Sequence, residues 1–266
     1  MSSLLADLIA PLAPDDFLAQ YVGRRPLYVP GPPTRHADWF GWEALDDVLS
    51  RTPLPNERLG LYRAELGYVP ANSAAEAIAQ LAAGASVLLN QAQQDHPRLA
   101  QLCGLLSAET GEPTRVNVYA SSPSAPGFPF HADTHDVFVL HLAGSKEWTV
   151  AAPSVPHPLY HPSLHPLPAP ADDAARQTFT LTPGDTLYLP RGHWHQAAAV
   201  DGPSLHLTVA VFWTTGVDLL YHLVDELHAH APVRQSLPAE HGPARRPLDR
   251  PSATAKDHLR RLREVV

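Results

Sequence analysis

The feature that most constrains the fold is a series of short, apolar and β-branched segments separated by turns that contain Gly or Pro. These segments cover residues 114–120, 136–142, 146–151, 177–181, 186–189 and 205–212. Closely spaced strands with such turns are typical of sandwiches and barrels. Proline is frequent, with 29 residues against 15 glycines, and it is excluded from helix interiors and central strands. The sequence therefore predicts a mainly β core over about residues 114–213.

Two connections within this region stand out. The turn Ala143-Gly144-Ser145 separates residues 136–142 from residues 146–151, and we interpret these two segments as the arms of a β-hairpin.

Residues 153–175 form a proline-rich stretch between strands. Loops of this length are usually functional or mobile.

The rest of the chain is predicted to form helical flanks. Residues 4–22 are helix-rich, with Asp15-Asp16 as a candidate cap, and residues 217–228 carry a stripe of leucines. Further helices are expected at 39–49, 74–83, 97–107 and 255–266, and two short strands are expected within 59–68. We therefore divide the chain into a domain at 1–213 and a short C-terminal helical region at 214–266.

The leucine stripe of residues 217–228 has two interpretations. The helix can cover the outside of the barrel, as expected for residues 4–22, or it can join the terminal helix in mediating self-association as a homodimer. Solution mass distinguishes the two.

Charge and composition exclude several classes of protein. The formal net charge is −8, so no basic face for direct nucleic-acid binding is expected. No run of about eighteen apolar residues is present, so we expect no membrane segment and a soluble, cytoplasmic protein. The single cysteine, Cys103, excludes a disulfide or a cysteine-based zinc site within one chain.

The strongest local motif is GDTLYLPRGHWH, from Gly184 to His195. Gly184 permits a tight turn before the strand, while Pro190 and Gly192 end that strand and shape a corner that directs a histidine inward. The spacing from Gly192 selects His195 as a metal ligand and leaves His193 beside it, without a ligand role. This spacing resembles the second motif of the cupin proteins and implies a double-stranded β-helix, also called a jelly-roll.

A second motif, His131-Ala132-Asp133, lies about sixty residues upstream. Residues two apart in a strand point to the same face, so both side chains can reach one ion. With His195 they form a set of two histidines and one carboxylate that leaves open metal positions, as non-haem Fe(II) oxygenases require.

Most of the 16 histidines have a plainer interpretation as packed or exposed polar groups. We assign no role to His157, His161 and His165 in the proline-rich stretch. His135 and His141 are expected to be exposed or packed beside their strand. His206 lies on an alternating strand, and the sequence leaves open whether it lines the cavity.

The stretch VNVYASSPSAPGFPFHADTHDVFVLHLAGSKEWTV, together with TLYLPRGHWHQA and SLHLTVAV, resembles the JmjC-type protein hydroxylases, in particular their ribosomal oxygenase branch. The resemblance implies Fe(II), O2 and 2-oxoglutarate, with iron held by His131, Asp133 and His195. It places Lys146 against the distal carboxylate of 2-oxoglutarate.

The same resemblance adds three residues to the predicted co-substrate pocket. Asn117 and Tyr119 match the family's pocket-lining strand, and Ser204 is expected to contribute a hydroxyl contact. Members of the branch often carry a longer C-terminal region than the roughly fifty residues that follow the barrel here. A shortened dimerisation unit is therefore expected.

The sequence thus predicts a 2-oxoglutarate-dependent dioxygenase that hydroxylates a side chain of a protein or peptide, with a ribosomal protein as the leading candidate. Alternatives within the enzyme class are a hydroxylase of a peptide natural product, a lysine demethylase and a metal-dependent cupin isomerase. An alternative of another class is a non-catalytic cupin module that binds a metal or ligand. Succinate formation from 2-oxoglutarate separates the oxygenases from the isomerase and the binding module.

Overall fold

The computed structural model describes residues 3–51, 58–63, 67–122 and 127–236. The chain divides into two units, residues 1–213 and residues 214–266. The first unit contains all the strands of the described chain, and the second contributes helices.

Twelve strands in the described part of the first unit build two antiparallel sheets. In chain order the strands are β1 (Leu27–Val29), β2 (Leu59–Arg63), β3 (Gly67–Pro70), β4 (Ser86–Leu89), β5 (Thr114–Ser121), β6 (His131–Ala132), β7 (Asp136–Ala143), β8 (Lys146–Ala151), β9 (Arg176–Leu181), β10 (Thr186–Leu189), β11 (Trp194–Ala199) and β12 (Ser204–Val211). The larger sheet has the order β1-β10-β7-β12-β5-β4-β2-β3, and the smaller has the order β6-β11-β8-β9. This arrangement confirms the predicted mainly β jelly-roll, to which β1–β4 add strands from the N-terminal half.

The strand β7 shows how the two sheets form a core. Val137 and Val139 join an apolar cluster with Trp148 and Val150 of the smaller sheet, while Phe138 and its neighbour Leu140 join the cluster under the N-terminal helices. Alternate residues therefore pack on opposite faces. Because both faces are covered, the strand is a continuous apolar run in the sequence.

The predicted hairpin between residues 136–142 and 146–151 is wrong. β7 pairs with β10 and β12, whereas β8 pairs with β9 and β11 in the other sheet. Both hydrogen-bonding edges of β7 are occupied, so the turn at Gly144 carries the chain across to the second sheet. Gly144 has φ +71°, and a Cβ there would lie 2.2 Å from the carbonyl oxygen of Pro203, so the crossing is too tight for another residue.

The corner that follows β10 has the predicted form but leads into a strand that was not predicted. Gly192 has φ +83°, and β11 starts two residues later at Trp194.

The proline-rich stretch 153–175 contains one short 3-10 helix, Pro162–Leu164.

Among its described residues, the first unit has five α-helices: α1 (Leu4–Ile9), α2 (Pro14–Gln20), α3 (Trp42–Arg51), α4 (Ala74–Ala82) and α5 (Pro97–Thr110). Phe17 of α2 is fully buried, and its ring contacts Phe138 and Tyr188 on the larger sheet. This confirms the predicted packing of the N-terminal helices against the β core.

The predicted cap of α2 is wrong, because the helix begins at Pro14 with Ala13 in the capping position. Proline is favoured at the first helical position, where its missing N–H is not needed. Asp15 and Asp16 then lie in the first turn, where their charges favour the positive end of the helix dipole.

The second unit contains α6 (Gly216–Leu227) and α7 (Ala231–Arg234). A capping box starts α6: the Thr215 hydroxyl accepts from the Asp218 N–H, and the Asp218 carboxylate accepts from the Thr215 N–H. Its side chains Leu219, Leu220 and Leu223 are exposed. The predicted terminal helix at 255–266 lies outside the described residues. No helix in the described ranges combines the length and the apolar character needed to cross a bilayer.

Candidate metal centre

Three side chains, from β6, from β11 and from the residue just after β6, converge inside the first unit. His131 of β6 and His195 of β11 face each other as paired residues of the smaller sheet, and Asp133 follows β6. Each offers a ligand atom, and these atoms lie within 4.8 Å of one another. His195 Nε2 is 3.7 Å from Asp133 Oδ2. The structure therefore brings together the two histidines and the carboxylate that the sequence singled out.

Hydrogen bonds fix the orientation of both imidazoles. His131 Nδ1 donates to the carbonyl oxygen of Pro129 at 2.7 Å, and His195 Nδ1 donates to the carbonyl oxygen of His193 at 3.0 Å. In a neutral ring held this way Nε2 is the atom without a proton, which is the tautomer a metal ligand needs. The His193 side chain is buried and lies outside the cluster. Its backbone carbonyl accepts the hydrogen bond from His195 Nδ1.

Electrostatics keep the cluster in the state that binds metal. Burial, reinforced by the neighbouring His131, lowers the pKa of His195 to about 4. Burial raises the pKa of Asp133, but the electrostatic interaction with the nearby imidazoles of His195, His135 and His131 outweighs it, so the pKa of this carboxyl lies below its ordinary value. At neutral pH the site therefore presents a neutral imidazole at His195 and an ionised carboxylate.

Lys146 lies at the inner end of the same cavity. Its side chain is only 3% exposed, and its Nζ donates to Ser121 Oγ at 2.9 Å. Among the described residues no carboxylate forms an ion pair with it. Burial lowers the pKa of Lys146 to about 7, because a desolvated ammonium without a counter-charge is costly.

Several buried polar atoms near Lys146 also have no hydrogen-bond partner among the described residues. They include His141 Nδ1, Trp148 Nε1, Ser204 Oγ and His206 Nδ1. Each such atom costs about 1–3 kcal/mol when it is left unsatisfied. Together with the lone ammonium, this end of the cavity has the donor and acceptor groups that fit a polar, anionic ligand.

His206 and Tyr119 form part of the cavity lining. The His206 ring stacks on Tyr119 with a centroid distance of 4.9 Å and lies parallel to His141 at 6.3 Å. Burial, and then the charge of Lys146, lowers the pKa of His206 well below its usual value. The sequence left the role of His206 open, and the structure places it inside. His141 is fully buried beside it rather than exposed.

The remaining predicted residues fall in two places. Ser204 lies opposite Ser121 in the β5–β12 register, close to the residue that binds Lys146. Asn117 is not part of this cavity lining: its Oδ1 accepts from the Gln91 N–H at 2.9 Å, and the residue lines an adjacent groove instead.

Sequence reasoning missed Phe128 and Gln196, which also line the cavity. Trp148 lines the cavity and stacks near His195, with ring centroids 5.9 Å apart. Trp148 shares one buried face of β8 with Lys146 and Val150, as the alternation of these residues in the sequence indicates.

The family model for the JmjC domain matches residues 88–219, the stretch that holds every ligand of this cluster. The chain is similar to the bifunctional lysine-specific demethylase and histidyl-hydroxylase NO66 of Dictyostelium discoideum, at 30% identity over 79% of this chain and 43% of that protein. It is also similar to human ribosomal oxygenase 1, at 32% identity over 77% of this chain and 34% of that protein. The chain thus spans less than half the length of these relatives.

Among solved structures, the chain resembles YcfD, a ribosomal oxygenase from Escherichia coli. The TM-score is 0.66 at 19% identity, over 96% of this chain and 66% of that one. A structure of the same protein in complex with cobalt and 2-oxoglutarate gives a TM-score of 0.64. At this level of identity the likeness concerns the fold.

Proposed function

This chain belongs to the JmjC family, and on that premise we propose that it is an Fe(II)- and 2-oxoglutarate-dependent dioxygenase that hydroxylates a side chain of a protein or peptide. The proposal rests on two groups of residues that line the same cavity. A set of two histidines and one carboxylate lies toward one end, and the buried Lys146, which forms no ion pair with a described carboxylate, lies at the other.

The donor sets fit the two groups they would hold. His131, Asp133 and His195 would bind Fe(II) facially and leave open positions. Lys146, with the unsatisfied Ser204 hydroxyl nearby, would receive the distal carboxylate of 2-oxoglutarate. When bound, the iron supplies oxygen activation coupled to oxidative decarboxylation of 2-oxoglutarate, which yields succinate and CO2.

The chain's own residues contribute orientation and exclusion of water. The carbonyl groups of Pro129 and His193 hold the two imidazoles in place. The stacked rings of Tyr119 and His206, with Trp148 edge-on at 5.4 Å, wall the space between the two ends of the cavity. Because these rings exclude water, the attraction between Lys146 and a bound carboxylate is stronger than it would be in solvent.

The substrate class rests on the relatives. Proteins named as ribosomal oxygenases and as a histidyl-hydroxylase and lysine-specific demethylase are similar over most of this chain. We propose a protein side chain as the target, with a ribosomal protein as the first candidate to test. We further propose that residues 1–213 form the catalytic domain, and that the exposed leucines of α6 support a homodimer.

The test is succinate formation by the purified chain with Fe(II), 2-oxoglutarate and oxygen, in the presence of ribosomal protein extract. We expect turnover that needs all three components, together with a mass gain of one oxygen on a protein of the extract. Asp133→Ala should abolish both. Metal binding without any 2-oxoglutarate turnover would favour the cupin binding module instead.

A further inference from the structure

A second cavity, with a volume of about 480 Å³, opens beside the metal cluster. We call it the mouth groove, and its main lining residues are Asn90, Gln91, Gln94, Arg115, Asn117 and Phe212. Asn117 of β5 pairs in register with Thr208 of β12, which lines the metal cavity. The groove therefore runs along the same strands as the cavity, and His135 in its lining is two residues from Asp133.

One wall of the mouth groove is a rigid turn at residues 90–94. The partly buried guanidinium of Arg58 donates to the carbonyl oxygens of Asn90 at 3.2 Å and Gln91 at 2.8 Å, and it forms an ion pair with Asp95. Gln91 has φ +53°, a left-handed conformation that is uncommon outside glycine. Strained residues of this kind persist only where their surroundings fix them, as at binding sites.

The facing wall carries a free positive charge. The guanidinium of Arg115 lies over the Phe212 ring at 5.1 Å, and the His135 ring stacks on the same residue. In the described part of the chain no carboxylate forms an ion pair with Arg115, whereas Asp95 neutralises Arg58. None of the described residues that line the groove is acidic. The groove is thus locally positive on a chain whose formal net charge is −8.

We propose that the mouth groove selects a substrate segment with a carboxylate beside the target residue, and that Arg115 is the specificity-determining residue that pairs with it. An arginine already stacked on an aromatic ring presents its planar donors to a carboxylate. The side-chain amides of Gln91 and Gln94 lie on the other wall, where they can bond to the backbone of an extended peptide. Within a basic protein substrate, the groove would therefore favour the segment in which an acidic residue lies beside the target. This rests on the proposed function and names the substrate class of that site.

The experiment compares two pools of fluorescein-labelled random peptides with fixed glutamate or fixed lysine positions. Binding to the full chain is measured by anisotropy at low salt. We expect the glutamate pool to bind about two- to fivefold more tightly, as for a partly exposed ion pair, with the difference falling as salt is added. Arg115→Glu should reverse the preference.

The matched control is Arg25→Glu, because Arg25 is also an exposed arginine over an aromatic ring, that of Tyr21, and lies outside the groove. It makes the same change in net charge and should keep the wild-type preference. Circular dichroism of both variants checks that they fold. Equal binding of the two pools, tighter binding of the lysine pool, no binding of either, or an unchanged preference in Arg115→Glu overturns the proposal.

Succinate formation is measured in parallel and separates this proposal from the proposed function. Turnover of 2-oxoglutarate without a peptide preference removes the role of Arg115 and leaves the dioxygenase in place. A glutamate preference that depends on Arg115, without turnover, supports the groove while the dioxygenase assignment fails.

Discussion

Replacement of Lys146 by methionine is predicted to stabilise the ligand-free protein while removing its response to 2-oxoglutarate. The Lys146 ammonium is buried, and its pKa falls from 10.5 to about 7 because burial disfavours the charged form. Methionine has a similar length, carries no charge and adapts to irregular space. Ser121 loses a donor in the variant but keeps its hydrogen bond with Ser86 at 2.9 Å.

The size of the effect follows from the shift in pKa. A pKa difference of this size for Lys146 between the folded and the unfolded chain corresponds to a folding cost on the order of 4 kcal/mol at pH 7. Loss of the bond to Ser121 offsets about 1 kcal/mol of the gain. We therefore expect the free energy of unfolding to rise by about 2–3 kcal/mol, which raises the Tm by about 5–10 °C for a unit of this size.

The pH dependence has a definite sign. The unfolded lysine stays protonated up to its ordinary pKa of 10.5, whereas the folded one loses its proton near pH 7. The cost is present in full below the folded pKa and disappears as the pH rises toward the unfolded one. The stability of the wild-type protein should therefore increase between about pH 7 and pH 10, and Lys146→Met should lack this increase.

The assay is thermal unfolding with and without 2-oxoglutarate, in the presence of Mn(II). At a hundredfold excess over its Kd, 2-oxoglutarate should stabilise the wild-type protein by about 3 kcal/mol and leave Lys146→Met unchanged. Lys146→Arg keeps the charge and should retain part of the response. A methionine variant that is less stable than the wild type, or that responds equally to 2-oxoglutarate, would refute the reasoning.

Three further predictions concern the fold, the cavity and the C-terminal region. Phe17→Ala should lower the free energy of unfolding by about 3–5 kcal/mol in urea, because the ring is fully buried, whereas the exposed neighbour Leu18→Ala should change it by less than about 1 kcal/mol. His206→Phe should keep the stack on Tyr119 and leave no unsatisfied Nδ1, so calorimetry should find weaker 2-oxoglutarate binding in a protein that is no less stable. If α6 mediates a dimer, Leu219→Asp combined with Leu223→Asp should halve the solution mass; a wild-type monomer at micromolar concentration contradicts the dimer.

The sequence predicted the features that local spacing determines. The spacing of His131 and Asp133 and the Gly192 corner before His195 place three ligand atoms together, as the structure has them. Strands with β-branched alternation, such as 114–120 and 205–212, were also predicted correctly.

Other features depend on partners that are distant in the sequence. The strand β11 was missed because Trp194–Ala199 reads WHQAAA, without β-branched residues, and its pairing with β8 and β6 supplies the stability. The hairpin prediction was wrong because the tight turn at Gly144 does not indicate which sheet the next strand joins.

The cavity and the groove show the same limit. His141 and His206 are buried through a stack that joins three strands, and nothing near them in the sequence indicates it. The mouth groove combines Arg58, residues 90–94, Arg115 and Phe212, so only the folded chain brings its charge together.

The most direct test of the central claim is an anaerobic titration of the purified chain with Fe(II) and 2-oxoglutarate, followed by visible absorption. Chelation of Fe(II) by the 2-oxo acid produces a charge-transfer band that neither component gives alone. The account predicts this band at one equivalent of each ligand in the wild-type protein, its loss in Asp133→Ala, and a higher 2-oxoglutarate requirement in Lys146→Met. If both ligands bind to the wild-type protein without producing the band, they do not share one cavity, and the assignment of the site is contradicted.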